Sequence, residues 1–295
     1  MKLLAPKYYG SFRCIADKCK HSCCIGWEID VDEQTLELYG SMSARLIDSI
    51  DMDEVPHFRL SAGDRCPHLL PNGLCSIIST LGEGCIPEIC REHPRFYSDT
   101  ARARIVGIGM SCEEAARLIL SSDDYSLSPI SELRGEPRAD FDVQPDIDRI
   151  YSVLSRRDVR YDDRLAEIRD IFGVGTDVHT KDEWEDIFSS LELLDREHSE
   201  WLSLSSAPVE TPEPLWQMLE RSLAYFVLRH CSGAASPEDF RSSLGLALLL
   251  ERILASAAVT CGDYSVDSVA ELARVLSCEL EYSEENTDEL RFEFY

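Results

Sequence analysis

Cysteine spacing is the feature that most constrains how this chain can fold. Nine of its twelve cysteines lie within the first 112 residues, at Cys14, Cys19, Cys23, Cys24, Cys66, Cys75, Cys85, Cys90 and Cys112. Closely spaced thiolates are preferred ligands of zinc and of iron–sulfur clusters, and such a centre takes up to four cysteines. The Pro-Asn-Gly sequence at 71–73 predicts a tight turn that presents Cys66 and Cys75 on either side. We therefore predict that at least four of the nine cysteines hold a metal centre.

Other roles for these residues stay open. The adjacent cysteines Cys23 and Cys24 cannot easily place both sulfurs on one ion, so one of them packs or serves a second centre. Some of the nine can be buried structural thiols or redox-active thiols, and His21 or His68 could replace a thiolate as a ligand. The CxxxCxxC spacing of radical S-adenosylmethionine enzymes is not matched, because Gly26 stands where a third cysteine is required. Three later cysteines fall on predicted helices and are interpreted as core residues: Cys231, Cys261 and Cys278.

Net charge separates the cysteine-rich part from the rest of the chain. The formal net charge is -26, and the residues up to Cys112 contain 12 Lys and Arg against 15 Asp and Glu. The remainder contains 17 Lys and Arg against 40 Asp and Glu. An acidic body repels nucleic acid and anionic lipid, so we expect neither as a partner and favour a basic protein segment. We find no signal peptide and no apolar run of roughly 20 residues, which predicts a cytoplasmic protein whose thiols stay reduced.

The patterning predicts a mainly α fold in two parts. We expect a cysteine-cluster metal-binding domain with short strands and helices over residues 1–121, a linker over 122–145, and an acidic helical domain over 146–295. Short strands are predicted at 27–32, 103–109 and 290–295. Ser111 and Glu114 form a capping-box pattern at the start of a helix over 112–121. The other predicted helices cover 33–50, 75–82, a short stretch from Pro87 to Pro94, 146–171, 181–204, 213–231, 237–260 and 265–280.

Several separated motifs resemble those of one enzyme family. The run from Tyr8 through Phe12 to Trp27, with its four cysteines, is similar to the start of the bacterial flagellin lysine N-methylase family. Further matching segments, in the same order, are Cys66-Pro67-x-Leu69, Gly73-Leu74-Cys75-x-Ile77, Leu81-Gly82-Glu83, Cys90-Arg91-x2-Pro94-Arg95 and Ser111-Cys112-Glu113-Glu114-Ala115-Ala116. The resemblance covers about the first 120 residues, within a wider cysteine-cluster superfamily. The later part resembles the family only in being helical.

The resemblance implies an enzyme that transfers a methyl group from S-adenosylmethionine to lysine ε-amines of flagellin. It also implies a [4Fe–4S] cluster, with zinc as the alternative. The ligand set that carries over is Cys14, Cys19, Cys23, Cys24, Cys66, Cys75, Cys90 and Cys112, whereas Cys85 matches less well. Beside Cys90, the guanidinium groups of Arg91 and Arg95 could hold the carboxylate of the methyl donor.

The competing hypothesis is a non-catalytic zinc- or iron–sulfur-binding interaction module. No glycine-rich strand–loop of a Rossmann-like donor site is visible, and no residue can be assigned as a catalytic base. A redox sensor is a third possibility, because exposed thiolates oxidise reversibly. Methyl transfer to lysine and one-to-one binding of the donor would distinguish the enzyme from both alternatives.

Overall fold

Short strands form two sheets in the computed structural model, which describes residues 1–135, 139–175, 178–195, 198, 202 and 209–295. The larger sheet has the order β4-β5-β1-β6, with β1 parallel to β5 and antiparallel to β6. Leu4 of the first strand pairs with Ile105 on one side and with Pro129 on the other. The strands are β1 (Lys2–Pro6), β2 (Ile50–Asp51), β3 (His57–Phe58), β4 (Arg95–Asp99), β5 (Ala103–Ile108) and β6 (Leu127–Glu132).

Helices make up most of the regular structure, so the predicted mainly α class is confirmed. The first eight are α1 (Glu33–Met42), α2 (Ala44–Ile47), α3 (Ser76–Leu81), α4 (Glu88–Glu92), α5 (Glu113–Ser121), α6 (Gln144–Leu154), α7 (Tyr161–Phe172) and α8 (Lys181–Ser190). The later ones are α9 (Trp216–Cys231), α10 (Pro237–Cys261), α11 (Val266–Leu276) and α12 (Glu284–Phe292). A π-helical turn, Ser277–Glu281, follows α11 directly.

The chain forms two units whose boundaries differ from those predicted. Arg13–Arg95 is the cysteine unit, and Met1–Phe12 together with Phe96–Tyr295 is the helical unit. Because β1 pairs with β5 and β6, the first residues belong with the later part of the chain. The predicted linker at 122–145 contains β6 and the start of α6. Part of that linker, residues 136–138, lies outside the described residues.

The longest helix, α10, forms the centre of the helical unit. It begins where the Ser236 side chain accepts a hydrogen bond from the Asp239 amide, and it ends at Gly262, whose φ of 73° suits a glycine. By length and composition α10 could cross a membrane, but 83% of its most apolar window is buried inside the protein. Such burial is typical of the core helix of a globular protein.

Two single predicted helices are each two helices in the structure. The predicted helix at 33–50 stops at Met42 and restarts after Ser43, which caps α2 by accepting a hydrogen bond from Arg45 N. The predicted helix at 146–171 is interrupted between α6 and α7. This break allows Arg157 and Arg164 to pair with the same buried carboxylate, Glu220.

Three other local predictions were wrong. Residues 27–32 form no strand, and Asp30 makes only an isolated bridge with His57. Ser111 does not cap α5: Cys112 is the N-cap and makes no side-chain capping bond. The C-terminal alternation is helical in α12, which begins where Ser283 accepts a hydrogen bond from the Asn286 amide. The predicted helix at 181–204 is observed as α8, and most residues of its second half lie outside the described residues.

Candidate functional site

Four cysteines from separate segments lie close together in the apolar core of the cysteine unit. Cys24, Cys66, Cys75 and Cys90 all pack in or against the cluster that contains Tyr39. The Cys66 amide donates to the Cys24 carbonyl at 2.9 Å, and Leu69 forms a bridge with Cys75 across the Pro-Asn-Gly turn. The predicted turn is therefore confirmed. None of the four thiols takes part in a disulfide.

The thiols influence one another electrostatically. Burial raises the pKa of Cys66 to about 11, and the charges of Cys24 and Cys75 add to the effect. Burial likewise raises the pKa of Cys90 to about 12, with contributions from the same neighbours. By contrast, a hydrogen bond from Cys23 lowers the pKa of Cys24 to about 7, outweighing burial with the help of Ser22 and Arg65. Of this adjacent pair, Cys24 thus acts as the thiolate and Cys23 as its hydrogen-bond donor.

Polar contacts link the segments that carry these cysteines. The Asp32 carboxylate caps two helices, accepting hydrogen bonds from Thr35 N at 3.0 Å in α1 and from Glu88 N at 2.8 Å in α4, which carries Cys90. Such capping is worth about 1 kcal/mol for each helix end. The Tyr39 hydroxyl donates to the Cys85 carbonyl at 2.8 Å.

His68 also holds this site and is unsuited to be a ligand. Its Nε2 lies 3.0 Å from the Ser49 hydroxyl, and its Nδ1 lies 3.4 Å from the Ser76 hydroxyl. Both ring nitrogens are therefore engaged, and the ring stacks edge-on against Phe58. His68 connects the loop after Cys66 to the helix after Cys75, which makes it a positioning residue.

The donor set fits a thiolate-ligated metal in its chemistry. Soft sulfur ligands from four segments, in an apolar surrounding, suit zinc or an iron–sulfur cluster. Among the residues described by the structure, no three His, Cys, Asp or Glu side chains already stand in a ligating arrangement. Protonated thiols do not attract one another, so the sulfurs of Cys24, Cys66, Cys75 and Cys90 would have to close in on a metal as they lose their protons.

The remaining predicted ligands lie elsewhere. Cys14 and Cys23 are exposed, Cys19 is half-buried, and Cys112 belongs to the helical unit. Cys85 packs against the same apolar cluster as the four thiols and donates its own S–H to the Leu81 carbonyl at 3.5 Å.

The predicted donor-binding arginines lie at the end of α4. Arg91 is exposed and makes one long hydrogen bond, 3.4 Å, to the Ile86 carbonyl. Arg95 donates to the Arg91 carbonyl at 3.1 Å. Between them, burial lowers the pKa of His93 to about 4, with the Arg95 charge adding to the shift, so His93 is uncharged at neutral pH. The two arginines thus supply the cationic groups of this stretch.

A second group of polar residues lies where the parallel strands of the helical unit end. The carboxyl ends of parallel neighbours meet at one edge of a sheet, and ligands bind at this edge in many open sheets. Tyr8 follows β1 there, and the Ser-Cys-Glu-Glu motif at 111–114 follows β5. The turn before this motif is held by Tyr225, whose hydroxyl accepts a hydrogen bond from Met110 N at 3.1 Å.

A fully buried carboxylate organises this group. Glu281, on the π-helical turn, accepts hydrogen bonds from the Tyr225 hydroxyl at 3.0 Å and from His230 Nε2 at 2.8 Å. Burial alone would raise the pKa of Glu281, but the hydrogen bond from His230 and the charge of Arg229 hold it below its usual value. The guanidinium of Arg229 lies 4.8 Å from the centre of the Phe96 ring and 5.7 Å from that of Tyr282. π-Helical turns often occur at functional sites.

No sequence pattern pointed to this second group. Tyr225 and Glu281 are 56 residues apart, on helices that were interpreted only as a bundle. A Glu on an otherwise apolar helical face was the available signal, but such a residue is more often solvated or paired for structural reasons. Only the tertiary packing brings these side chains to the motif around Cys112.

The described residues thus define a mainly α protein with a cluster of free thiols suited to a soft metal. Comparison with known proteins places it beside lysine N-methylases. It is 25% identical over 130 residues to the protein named Lysine-N-methylase of Salmonella typhimurium, covering 40% of this chain and 32% of the relative. It has the same identity over the same length to the Flagellar biosynthetic protein FliU of Salmonella muenchen, 77% of which is covered.

These similarities confirm the resemblance to the flagellin lysine N-methylase family. The chain spans about a third of the length of the two curated Lysine-N-methylases that it matches, from Salmonella typhimurium and Salmonella choleraesuis. No family model matches the chain. No solved structure matches it either.

Proposed function

We propose that this protein is a cytoplasmic lysine N-methyltransferase that uses S-adenosylmethionine and carries a [4Fe–4S] cluster. Its substrate would be flagellin or another protein with accessible lysines. The similarity to proteins named Lysine-N-methylase carries the proposal. The convergence of Cys24, Cys66, Cys75 and Cys90 supports the cluster, because four thiolates are the ligand complement that such a cluster requires.

The acidity of the chain supports a lysine-rich partner. Carboxylates attract an ammonium group and raise its local concentration, although they do not deprotonate it. Methylation needs the neutral amine, and removing the proton from a group of pKa about 10.4 at pH 7 requires about 4–5 kcal/mol. A proton acceptor and a desolvated approach must supply this energy. When bound, S-adenosylmethionine would supply an electrophilic methyl group on its sulfonium.

Arg91 and Arg95 are proposed to hold the carboxylate of the donor. Exchanging both for glutamate reverses the charge at the end of α4, where each guanidinium donates to a carbonyl. Donor affinity, measured by calorimetry on protein prepared without oxygen, is expected to fall. The exposed Arg59 pairs with Asp51, and Arg59→Glu is the matched control within the same unit. Unchanged donor affinity in the double variant would refute this assignment.

The second candidate is a non-catalytic metal-binding interaction module. One feature favours it: no residue of the cysteine motifs that resemble the family can be assigned as a catalytic base. Such a module would hold zinc or an iron–sulfur cluster and bind a partner without modifying it. If this is the function, the protein retains its metal and does not bind the methyl donor.

The deciding experiment combines metal analysis with a transfer assay. Protein purified without oxygen is analysed for iron, sulfide and zinc, then incubated with labelled S-adenosylmethionine and purified flagellin. About four iron and four sulfide per chain, together with methyl-lysine detected by mass spectrometry, would support the enzyme. Zinc alone with no transfer would leave the interaction module. Cys90→Ser should abolish cluster binding, whereas Cys261→Ser, an exposed thiol at the end of α10, should not.

A further inference from the structure

His230 of the helical unit is placed as a proton acceptor normally is. His230 is in the last turn of α9, and its side chain is 10% exposed. Its Nε2 lies 2.8 Å from an oxygen of Glu281, which is fully buried. A carboxylate can only accept a hydrogen bond, so Nε2 carries the proton and Nδ1 of the neutral ring is left as the basic nitrogen.

The basic nitrogen has no competing partner. Among the residues that the structure describes, Glu281 is the only hydrogen-bond partner of the His230 ring. A nucleophile or base oriented by a second group is the arrangement found in acid–base catalysis. Hydrogen bonds from Tyr225 and an ion pair with Arg229 fix the carboxylate in turn, so the dyad is rigid.

The location of the dyad connects it to the motif shared with the lysine N-methylases. The hydroxyl of Tyr225 joins Glu281 to Met110 N, one residue before Ser111 and two before Cys112. The thiol of Cys278, on the same π-helical turn as Glu281, faces the Ser111 carbonyl at 3.8 Å. One contact from the π-helical turn and one from α9 therefore fix the turn around Met110 and Ser111, which follows β5 at the carboxyl edge of the sheet.

We propose that His230, oriented by Glu281, accepts the proton of the substrate lysine. This inference rests on the proposed lysine methylation. The ε-ammonium gives its proton to Nδ1, which forms an imidazolium while Nε2–H stays bonded to Glu281. The freed lone pair attacks the methyl carbon of the sulfonium donor, and the carbon–sulfur bond breaks with its electrons passing to sulfur. Water then takes the proton from His230, so charge and atoms balance.

Glu281 and Tyr225 are positioning residues in this scheme. Among the described residues, Tyr225 and Arg229 contact the Glu281 carboxylate of the dyad, and Arg229 in turn faces the Tyr282 ring. Glu281 stabilises the imidazolium by its charge, while Arg229 opposes it. Glu281→Gln keeps the shape but removes the charge, so it should lower kcat while leaving KM for the donor unchanged.

The test compares two histidines of the same unit. His179 also pairs with a carboxylate, Glu293, at 2.5 Å, but its other nitrogen faces Glu183 at 3.9 Å. We expect His230→Gln to lower kcat for flagellin methylation by roughly 100-fold or more, the usual contribution of a general base. The acidic limb of the pH–rate profile should disappear with it. His179→Gln should keep both the rate and the profile, and both variants should keep the iron content and donor affinity of the parent.

The outcomes separate the proposals. If His230→Gln keeps the activity of the wild type, the proposed role of His230 is refuted, while the proposed methylase function still stands. If the wild-type protein transfers no methyl group, the proposed function fails and the proton acceptor with it. Should His230→Gln not fold, diethylpyrocarbonate modification of the wild-type ring replaces it. Inactivation that tracks modification of His230, with protection by flagellin, would support the role, and full activity of the modified protein would refute it.

Discussion

Metal binding by the cysteine unit is expected to strengthen steeply with pH. The pKa of Cys66 is about 11 and that of Cys90 is about 12, because burial and neighbouring thiols disfavour the thiolates. At pH 7 both are protonated, and deprotonating the two together requires about 12 kcal/mol at 1.36 kcal/mol per pKa unit. A metal that binds through both thiolates must release both protons. These two protons alone should make its affinity rise about 100-fold for each pH unit near neutrality.

Zinc titration under reducing, oxygen-free conditions measures this effect. The dissociation constant is determined at pH 7 and pH 8 against a colorimetric chelator whose own pH dependence is known. Cys90→Ser should weaken binding and reduce the pH dependence to about tenfold per unit, because one proton fewer is released. Cys261→Ser, which removes an exposed thiol in the helical unit, should leave both quantities unchanged. An affinity that changes less than tenfold in the wild type would contradict the assignment of Cys66 and Cys90 as ligands.

Three further predictions concern the helical unit. Burial raises the pKa of Glu251 to about 7 from 4.5, so the folded state binds more protons than the unfolded state in this window. Stability should fall by about 3 kcal/mol as pH rises from about 4.5 to above 7, and Glu251→Gln should remove this dependence in urea unfolding. Glu220→Ala should lower the free energy of unfolding by about 3–5 kcal/mol, because it leaves the buried Arg164 unpaired. Gly107→Ala should cost about 1–3 kcal/mol, since its methyl group would meet the Phe96 ring.

Matched variants make these predictions testable. Glu210 is exposed and, within the described part of the chain, pairs with Arg160, so Glu210→Ala should change stability by less than about 1 kcal/mol. Gly233 has open space where a methyl group would lie, and Gly233→Ala should not lower the melting temperature as Gly107→Ala does. If Glu220→Ala lost no more stability than Glu210→Ala, or Gly107→Ala no more than Gly233→Ala, the buried contacts would not govern stability. For Glu251, the quantity to compare is the difference in unfolding free energy between the wild type and Glu251→Gln. If this difference were the same at pH 8 as at pH 5, the prediction would be contradicted.

Local chemistry made much of the cysteine unit predictable. The turn at 71–73 follows from Pro, Asn and Gly, whose conformations suit a reversal, and Gly73 has a φ of 81°. Asp32 directly precedes the helix predicted over 33–50, and its side chain caps α1. Its second role, capping α4 beside Cys90, depends on Glu88, which is 56 residues away. No pattern in the sequence joins these two positions.

The division of the chain was harder to predict for the same reason. A composition change near residue 121 suggested a boundary, but strand pairing places β1 and β5 in one sheet. Cys112 was grouped with the other cysteines by its residue type, whereas the fold places it in the helical unit. Backbone hydrogen bonds between distant strands, which have no signature in composition, decide this membership.

The sequence by itself determined the helical class, the turn that presents Cys66 and Cys75, and the resemblance to lysine N-methylases. These properties depend on residue types and spacings over a few positions, where local conformation is set by propensity and capping. Only the tertiary structure decided which thiols share an apolar core and which carboxylate orients His230. Burial and long-range pairing create those relations: a thiol pKa of about 12 for Cys90 and a 2.8 Å contact between Glu281 and His230 arise only when segments distant in sequence pack together.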